Sequence, residues 1–256
     1  MKKITALLIV ISFLACQKTK KEITKQETMK TTFYVGTYTN KDSKGIYKYQ
    51  IDTNGKLEKK GLVANVVNPT FLVKSKDKKH LFVIGETDKN NQGVIRSYAI
   101  EKDSLQIISK EATGGPGPCF VGINDENYIV TANYRGGNVG LLHANKSGVL
   151  TNLLDVQQHT GKGTTERQQA PHAHSAWFHP AKDEIISLDL GTNQLWFSKI
   201  DKEKNKLIPS AQKTLEMKAG AGPRHLTFHP NKKWIYVVNE LNNTISLVKE
   251  KDEKYY

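Results

Sequence analysis

The stretch AGPRHLTFHPNKKWIYVVNELNNTISLV, residues 221–248, decides the fold. It holds three short runs of β-branched, aromatic and aliphatic residues, and two turn-like segments, HPNKK and ELNN, separate them. Such runs, bounded by Asn, Pro and Lys, are typical of antiparallel strands. The stretch therefore predicts consecutive strands in which Arg224 begins the first and Glu240 ends the second.

The same pattern recurs about every fifty residues along the chain. The ends of equivalent strands fall at Thr37, Glu86, Tyr134, Leu190 and Glu240, and each is followed by a turn and a further strand. No stretch shows a sustained helical period. A four-stranded unit repeated at this spacing predicts an all-β chain folded as a β-propeller.

The order of strands predicts an incomplete ring. If the strands of a blade are named A to D from the channel outward, the chain enters at strand B (33–37) and reaches its first A strand at Asn68. It stops after a strand of type C, at KDEKYY. The sequence contains four A strands and five B–C pairs, so about five blades are expected. We expect the chain to lack its C-terminal blades, and an unclosed ring exposes strand edges.

The N-terminal residues are expected to lie outside the propeller. Residues 1–16 combine two lysines, a short apolar run and Leu-Ala-Cys, which is typical of a lipoprotein-type signal peptide with Cys16 as the lipidated residue. Residues 17–31 lack aromatic residues and predict a disordered tether. The propeller is then expected over 32–256, and the protein is predicted to be exported and anchored to the membrane only through Cys16.

Composition disfavours several other functions. The 38 Lys and Arg residues outnumber the 25 Asp and Glu residues, but the lysines are spread through turn-like segments, so nucleic acid is not expected as a partner. With Cys16 in the anchor, Cys119 has no partner for an intrachain disulfide. His172 and His174 form HAH, yet two histidines are too few ligands, and we predict no metal and no cofactor.

The repeat brings charged residues to one end of the channel. Strands A and B are antiparallel, so the start of one lies beside the end of the other, and Arg224 can meet Glu240. The same register places His174, Glu86 and Cys119 on this rim, and the loop TGKGTTERQQAPH is expected to bring Arg167, Gln168 and His172 over it. Residues that differ from blade to blade at equivalent positions favour a functional site. A structural salt bridge remains the alternative at this point.

Four segments resemble the seven-bladed propeller lactonase family, which includes bacterial 6-phosphogluconolactonases and has carboxymuconate cyclases as relatives. They are YVGTYT…GIYKYQID, GPCFVGIN…NYIVTANYRGGNV, RQQAPHAHSAWFHP…SLDLGTNQL and GPRHLTFHP…YVVNEL. The resemblance runs from about Phe33 to the end. It implies a lactone hydrolase acting on a small-molecule lactone, 6-phospho-D-glucono-1,5-lactone in the named activity, and a monomer when full length.

The resemblance also implies site residues. A histidine of PHAH, the arginine of GPRH and the glutamate of NEL carry over to His174 (or His172), Arg224 and Glu240, whereas a further family arginine has no counterpart here. Arg167, Gln168 and Glu86 are expected to bind substrate. A phosphosugar is cytosolic while the signal exports the chain, so either the substrate is another lactone or the propeller binds sugar acids or other anions without catalysis. A carboxymuconate-type cyclase is a further alternative.

Overall fold

The computed structural model describes residues 29–86 and 92–256. Nearly every regular element in these ranges is a β-strand, and one 3-10 helix, Glu166–Gln168, is the exception. Cys16, the signal peptide and most of the predicted tether lie outside the described residues. No helix in the described ranges is both long and apolar enough to cross a membrane.

The strands form five antiparallel sheets in chain order. The first sheet has three strands, which are β1 (Lys30–Val35), β2 (Gly45–Asp52) and β3 (Leu57–Asn65). The second has four, which are β4 (Phe71–Lys74), β5 (His80–Gly85), β6 (Val94–Ile100) and β7 (Leu105–Ala112). The third has β8 (Pro118–Ile123), β9 (Tyr128–Asn133), β10 (Asn138–His143) and β11 (Asp155–Gln158).

The last two sheets repeat this arrangement. The fourth contains β12 (Ala173–Phe178), β13 (Ile185–Asp189), β14 (Gln194–Asp201) and β15 (Lys206–Glu216). The fifth contains β16 (Pro223–Phe228), β17 (Trp234–Asn239), β18 (Thr244–Lys251) and β19 (Lys254–Tyr255). The predicted repeat of four-stranded units is therefore confirmed, and the first sheet has three strands within residues 29–86.

Two predicted boundaries were wrong. Lys30 and Thr31 were placed in the tether, but they pair with Asp52 and Ile51 and belong to β1. The chain was also expected to stop after a C strand, yet β19 pairs with β18 through Lys251 and Lys254 and begins a strand D. Both segments are short and rich in Lys, so their composition concealed strands that pairing with a longer neighbour stabilises.

The turns explain why the sheets repeat so regularly. After each rim position in the last three sheets, the third residue has a positive φ, at Gly137, Asn193 and Asn243. Gly and Asn are the residues that adopt this left-handed conformation most readily. The same turn geometry therefore returns the chain into strand C in each unit, and the rim residues keep equivalent positions.

Apolar side chains hold neighbouring sheets together. One cluster joins the fourth and fifth sheets through residues such as Leu188, Phe197 and Ile235, and equivalent clusters lie between the other consecutive sheets. Each fully buried aliphatic or aromatic side chain contributes roughly 1.5–3 kcal/mol. In the described residues, no hydrogen-bonded strand pair joins the first sheet to the last.

Candidate active site

One repeated hydrogen bond defines the mouth of the channel. The backbone N–H of each rim residue donates to a carbonyl at the start of strand A, and the four pairs are Glu86 to Asn68, Tyr134 to Gly117, Leu190 to His172 and Glu240 to Gly222, at 2.8–3.0 Å. The rim residues that are equivalent in the sequence repeat therefore make equivalent backbone hydrogen bonds in the structure. It places the residues two positions further along, Thr70, Cys119, His174 and Arg224, at the same depth in four sheets.

Three of these four residues lie in β-bulges. The pairing of strands A and B shifts register between Pro118 and Phe120, between Ala173 and Ser175, and between Pro223 and His225. The skipped residues are Cys119, His174 and Arg224. A bulge redirects the side chain of its extra residue and is common beside active sites. The alternation of a regular strand does not predict a bulge, so the direction of these three side chains could not be predicted from the strand pattern.

Aromatic side chains close the channel beneath this mouth. The ring of Phe120 lies 4.7 Å from that of Phe71 and 4.7 Å from that of Trp177, measured between centroids. The ring of His225 contacts Phe71 at 5.8 Å, although the two residues belong to the second and fifth sheets. Strand A residues of four sheets therefore meet at a common axis, and an apolar floor lies below the polar rim.

Glu240 is the centre of the charged network. Its Oε1 lies 2.7 Å from Nη2 of Arg167, and its Oε2 accepts a hydrogen bond from Nε of Arg224 at 2.9 Å. Burial alone would raise the pKa of Glu240, but the hydrogen bonds and charges of Arg167, with further contributions from His174 and Arg224, hold the pKa below its usual value. The carboxylate is therefore ionised at neutral pH and shared by two guanidinium groups. The predicted meeting of Arg224 and Glu240 occurs.

His174 lies beside this carboxylate and is largely buried. Its Nε2 is 3.7 Å from Oε2 of Glu240, longer than a hydrogen bond but close enough for the carboxylate to stabilise an imidazolium when one forms. Burial, reinforced by the charge of Arg224, lowers the pKa of His174 to about 4. The imidazole is therefore neutral near pH 7, which leaves it able to accept a proton.

His172 has a different environment from His174. Its ring stacks on Tyr134 at 4.4 Å, and its Nδ1 lies 2.9 Å from the carbonyl oxygen of Tyr134. Tyr134 in turn accepts a hydrogen bond from Nη2 of Arg167 at 3.2 Å. His172 thus fixes Tyr134 beneath Arg167, whereas His174 faces Glu240.

A buried hydrogen-bonded pair, Asp189 and His159, anchors the segment that carries both histidines. Oδ2 of Asp189 lies 2.7 Å from Nδ1 of His159, and both side chains are fully buried. Oδ1 of Asp189 accepts hydrogen bonds from the backbone N–H groups of His172 and Thr192, each at 2.8 Å. Trp196 covers the imidazole of His159 at 4.2 Å. Asp189 therefore fixes the backbone immediately before β12.

Gln168, predicted to bind substrate, faces away from the mouth. Its side chain is buried, and Nε2 donates to the carbonyl oxygen of Leu190 at 2.8 Å and to Oδ1 of Asn193 at 3.1 Å. Its Oε1 accepts the N–H groups of Thr164 and Thr165. The amide of Gln168 has no group left for a ligand, so the role that the structure supports is to hold the loop that carries Arg167.

Glu86 lies on the opposite side of the mouth. One of its carboxylate oxygens accepts the hydroxyl of Tyr38 at 2.7 Å, and this hydrogen bond, with burial, raises the pKa of Tyr38 to about 12. Arg224 acts electrostatically on the same hydroxyl. The mouth therefore has two sides of different character, with Arg167 and Arg224 on one and the Tyr38–Glu86 pair on the other.

Cys119 lies between these two sides but is not activated. Burial raises the pKa of its thiol to about 12. The Sγ atom lies 3.3 Å from the carbonyl oxygen of His174 and 3.7 Å from those of Ala132 and Ala173, consistent with a protonated thiol that donates. A nucleophilic thiolate is not favoured here.

Several residues of the site were not predicted from the sequence. Tyr134 was placed on the rim without a role, and Tyr38, His159, Asp189 and His225 were not considered. Asp189 directly precedes the rim position of its sheet, and His159 lies far from it in sequence, so only the fold brings the two together. No cluster of three or more His, Cys, Asp or Glu residues suited to a metal ion occurs among residues 29–86 and 92–256.

The chain resembles several known proteins over most of its length. It is 38% identical over 216 residues to the 6-phosphogluconolactonase of Bacillus subtilis, covering 83% of this chain and 60% of that protein. It is 27% identical to a 6-phosphogluconolactonase of Formosa agariphila, covering 83% of this chain and 62% of that protein. The structure of a periplasmic gluconolactonase of Pseudomonas aeruginosa matches with a TM-score of 0.82 and 26% identity, covering 89% of this chain and 66% of that one.

The chain therefore spans roughly three fifths to two thirds of the length of these relatives. The family profile described as lactonase, 7-bladed beta-propeller, matches residues 32–255, nearly the whole described region. The segments that carry His174, Arg224 and Glu240 all lie within this match. The chain belongs to the seven-bladed β-propeller lactonase family.

Proposed function

We propose that this mouth hydrolyses the ester bond of a sugar lactone, in the manner of a 6-phosphogluconolactonase. The observation that carries the proposal is the convergence of His174, Arg224 and Glu240 from two sheets onto one polar rim. Their types match the needs of the reaction, which are a proton acceptor, a fixed positive charge and an ionised carboxylate. The names of the Bacillus and Formosa relatives support the same activity.

His174 is the proposed general base. Lactone opening begins when a water molecule loses a proton and its oxygen attacks the carbonyl carbon of the ring. The low pKa of His174 keeps the imidazole neutral at pH 7, and Glu240 at 3.7 Å stabilises the imidazolium that forms. General base catalysis of this kind contributes typically about 10²–10⁴-fold. The proton then passes to the ring oxygen as the bond between carbonyl carbon and ring oxygen breaks.

Arg224 is the proposed stabiliser of the oxyanion. The tetrahedral intermediate carries a negative charge on the former carbonyl oxygen, and a fixed donor aimed at that charge lowers the barrier. Glu240 holds Arg224 through Nε, which leaves the terminal nitrogens of the guanidinium for a ligand. Removal of one such donor typically costs about 10²–10³-fold in rate.

The substrate would lie across the mouth with its two ends in different surroundings. Arg167 is half exposed on the loop above Glu240 and suits a phosphate or carboxylate group. Glu86 has a carboxylate oxygen beyond the one held by Tyr38, and carboxylates accept sugar hydroxyls well. A ligand with one anionic end and one hydroxyl-rich end fits this arrangement better than the dicarboxylate of a cyclase substrate.

The place of action is proposed from residues 1–16. A signal of the lipoprotein type with Cys16 as its lipidated residue would export the chain and anchor it to the membrane. The Pseudomonas relative named as a periplasmic gluconolactonase is a precedent for lactone hydrolysis outside the cytosol. A non-phosphorylated sugar lactone is then the substrate to test beside the 6-phosphate.

The proposal is tested by acid release during lactone opening. The purified chain is assayed in a pH-stat with glucono-1,5-lactone and its 6-phosphate, beside Arg224→Ala and His174→Ala. Hydrolysis above the spontaneous rate that both substitutions reduce at least 10²-fold supports the proposal. A rate equal to the spontaneous one for both lactones contradicts it and favours the exported sugar-acid-binding propeller.

A further inference from the structure

We propose that Arg167 is an anion-operated latch: the guanidinium holds Glu240 in the free protein and exchanges it for the phosphate or carboxylate of an arriving ligand. This inference rests on the proposed function, because it assigns an anion subsite and a regulatory contact to the same mouth. It adds to the proposed function that the contact between Arg167 and Oε1 of Glu240 depends on the charge of the ligand.

Glu240 is bonded at both of its carboxylate oxygens within the mouth. Arg224 holds Oε2 through Nε at 2.9 Å, and Arg167 holds Oε1 at 2.7 Å. Each carboxylate oxygen has about two acceptor sites, so Oε1 keeps one beside Arg167, but the nearby guanidinium charge weakens it as an acceptor. Oε1 becomes a stronger acceptor when Arg167 changes its contact.

Arg167 is the arginine that can exchange. Its side chain is 55% exposed and extends from the 3-10 helix of a loop, whereas Arg224 belongs to a strand and is 44% exposed. An anion that approaches from solvent meets Arg167 without crossing the rim. Carboxylates and phosphates bind guanidinium groups in the same geometry, so the ligand and Glu240 compete for one partner.

The backbone and one contact of Arg167 can stay in place during the exchange. The adjacent Gln168 is buried and bonded to Leu190 and Asn193, which fixes the loop. Nη2 of Arg167 also donates to the hydroxyl of Tyr134, and His172 stacks on that ring. A small rotation about Tyr134 would thus be enough to replace Oε1 by a ligand oxygen.

The chemical consequence is a coupling between ligand charge and the carboxylate. Arg167 is among the groups that lower the pKa of Glu240, so loss of this contact raises that pKa and strengthens Glu240 as a proton acceptor and hydrogen-bond acceptor. A phosphorylated or carboxylated ligand would release Oε1 as it binds. A neutral ligand would leave the latch closed.

The test measures inorganic sulfate binding by calorimetry at pH 7.5 and constant ionic strength, which requires no turnover. We expect Arg167→Gln to weaken binding at least about tenfold, Arg167→Lys to retain part of it, and Glu240→Gln to tighten binding about tenfold. Glu86→Gln is the matched control, because Glu86 is a carboxylate of the same mouth that Tyr38 holds instead of an arginine. We expect less than about a twofold change there.

Three results would overturn the latch. They are unchanged sulfate affinity in both Arg167 variants, no gain of affinity in Glu240→Gln, or an equal gain in Glu86→Gln, which would indicate general electrostatic repulsion. Thermal unfolding curves establish that each variant is folded. Failure here is distinct from failure of the proposed function, since lactone hydrolysis by the unaltered chain is measured separately.

The latch also predicts different effects on two lactones. Arg167→Gln is expected to lower kcat/KM for 6-phosphogluconolactone about tenfold or more and to leave the value for gluconolactone unchanged or higher, because Glu240 is then free. Equal losses on both lactones would assign Arg167 a merely structural role.

Discussion

His174 shows how the surroundings of a single residue determine its chemistry. The imidazole is buried beneath two arginines, yet it faces one carboxylate, Glu240, at 3.7 Å. Burial and Arg224 oppose protonation more strongly than Glu240 favours it, so the pKa of His174 falls to about 4. A neutral base beside an ionised carboxylate is a suitable arrangement for removing a proton from water.

The pKa of His174 predicts the acid limb of lactone hydrolysis. Because the neutral form is active, kcat/KM should stay nearly constant from pH 7 to about pH 5 and fall with an apparent pKa near 4. The measurement is initial rate against pH, with the spontaneous rate subtracted at each value. An acid limb centred near 6.5 would contradict a buried, neutral His174.

The thiol of Cys119 is not expected to take part in catalysis. Its thiol stays protonated because burial raises its pKa to about 12, so it cannot supply a thiolate nucleophile. We expect Cys119→Ala to keep kcat/KM within about threefold and a thiol reagent to react slowly with the native chain at pH 7. A loss of more than about 10²-fold in folded Cys119→Ala would require a covalent mechanism.

At the scale of the element, the β-bulges of strands β8, β12 and β16 distinguish this site from a simple rim of strand ends. Each bulge sets the extra residue, Cys119, His174 or Arg224, out of the regular alternation. Antiparallel pairing was enough to predict that Arg224 meets Glu240. The bulges could not be predicted, since they depend on how each strand A twists toward the channel.

In the loop before β12, the position of the loop could be predicted from the sequence, whereas the directions of its side chains depend on residues far along the chain. The sequence predicted that this loop would bring Arg167 over the mouth, and the structure brings Arg167 to Glu240. It also placed Gln168 there, but a residue's direction on a short loop depends on partners such as Leu190 that lie far along the chain. The buried pair of His159 and Asp189 was missed for the same reason.

Asp189 gives the prediction at this scale. Asp189→Asn weakens the buried hydrogen bond to His159 and the acceptor for the His172 N–H, so the free energy of unfolding should fall by about 1.5–3 kcal/mol. Denaturant unfolding provides the measurement. Asp201→Asn, at a partly exposed carboxylate that contacts Lys204, is the control and should change stability far less. Equal effects of the two substitutions would contradict the anchoring role.

At the scale of the whole molecule, the repeat explains most of what the sequence could predict. The strand pattern, the spacing near fifty residues and the turns with Gly or Asn each indicated the same four-stranded unit, so the architecture could be predicted.

The fifth sheet presents an apolar face to solvent in the described structure, with Trp234, Tyr236, Val238, Ile245 and Leu247 exposed. Alternation within β17 and β18 sets these residues on one side.

The titratable groups of the mouth predict how stability depends on pH. The pKa values of His174 and His225 are lowered to about 4, below an unfolded value near 6.5, so the unfolded chain binds more protons between these values. Stability should therefore be full above pH 6.5 and decrease as the pH falls toward 4. The lowered pKa of His174 alone would decrease the free energy of unfolding by roughly 3 kcal/mol when the pH falls from above 6.5 to below 4.

Asp189 also makes the protein less stable as the pH falls, but in a lower pH range. Its pKa is lowered below 3.8, so the stability that it contributes is lost only as the pH falls through that lower value. Denaturant unfolding from pH 8 to pH 2 tests both pH ranges, and His174→Gln should reduce the slope of the curve between pH 6.5 and 4. An unchanged slope in that variant would contradict the burial of a neutral His174.

His174 and Glu240, from different sheets, are proposed to act as one unit in lactone opening. A double-mutant cycle on kcat/KM with His174→Gln, Glu240→Gln and both together measures the coupling between them. We expect each single change to cost about 10²-fold or more and the second to add little once the first is made. Independent, multiplicative losses would mean that the two residues do not act together, and would contradict this active site.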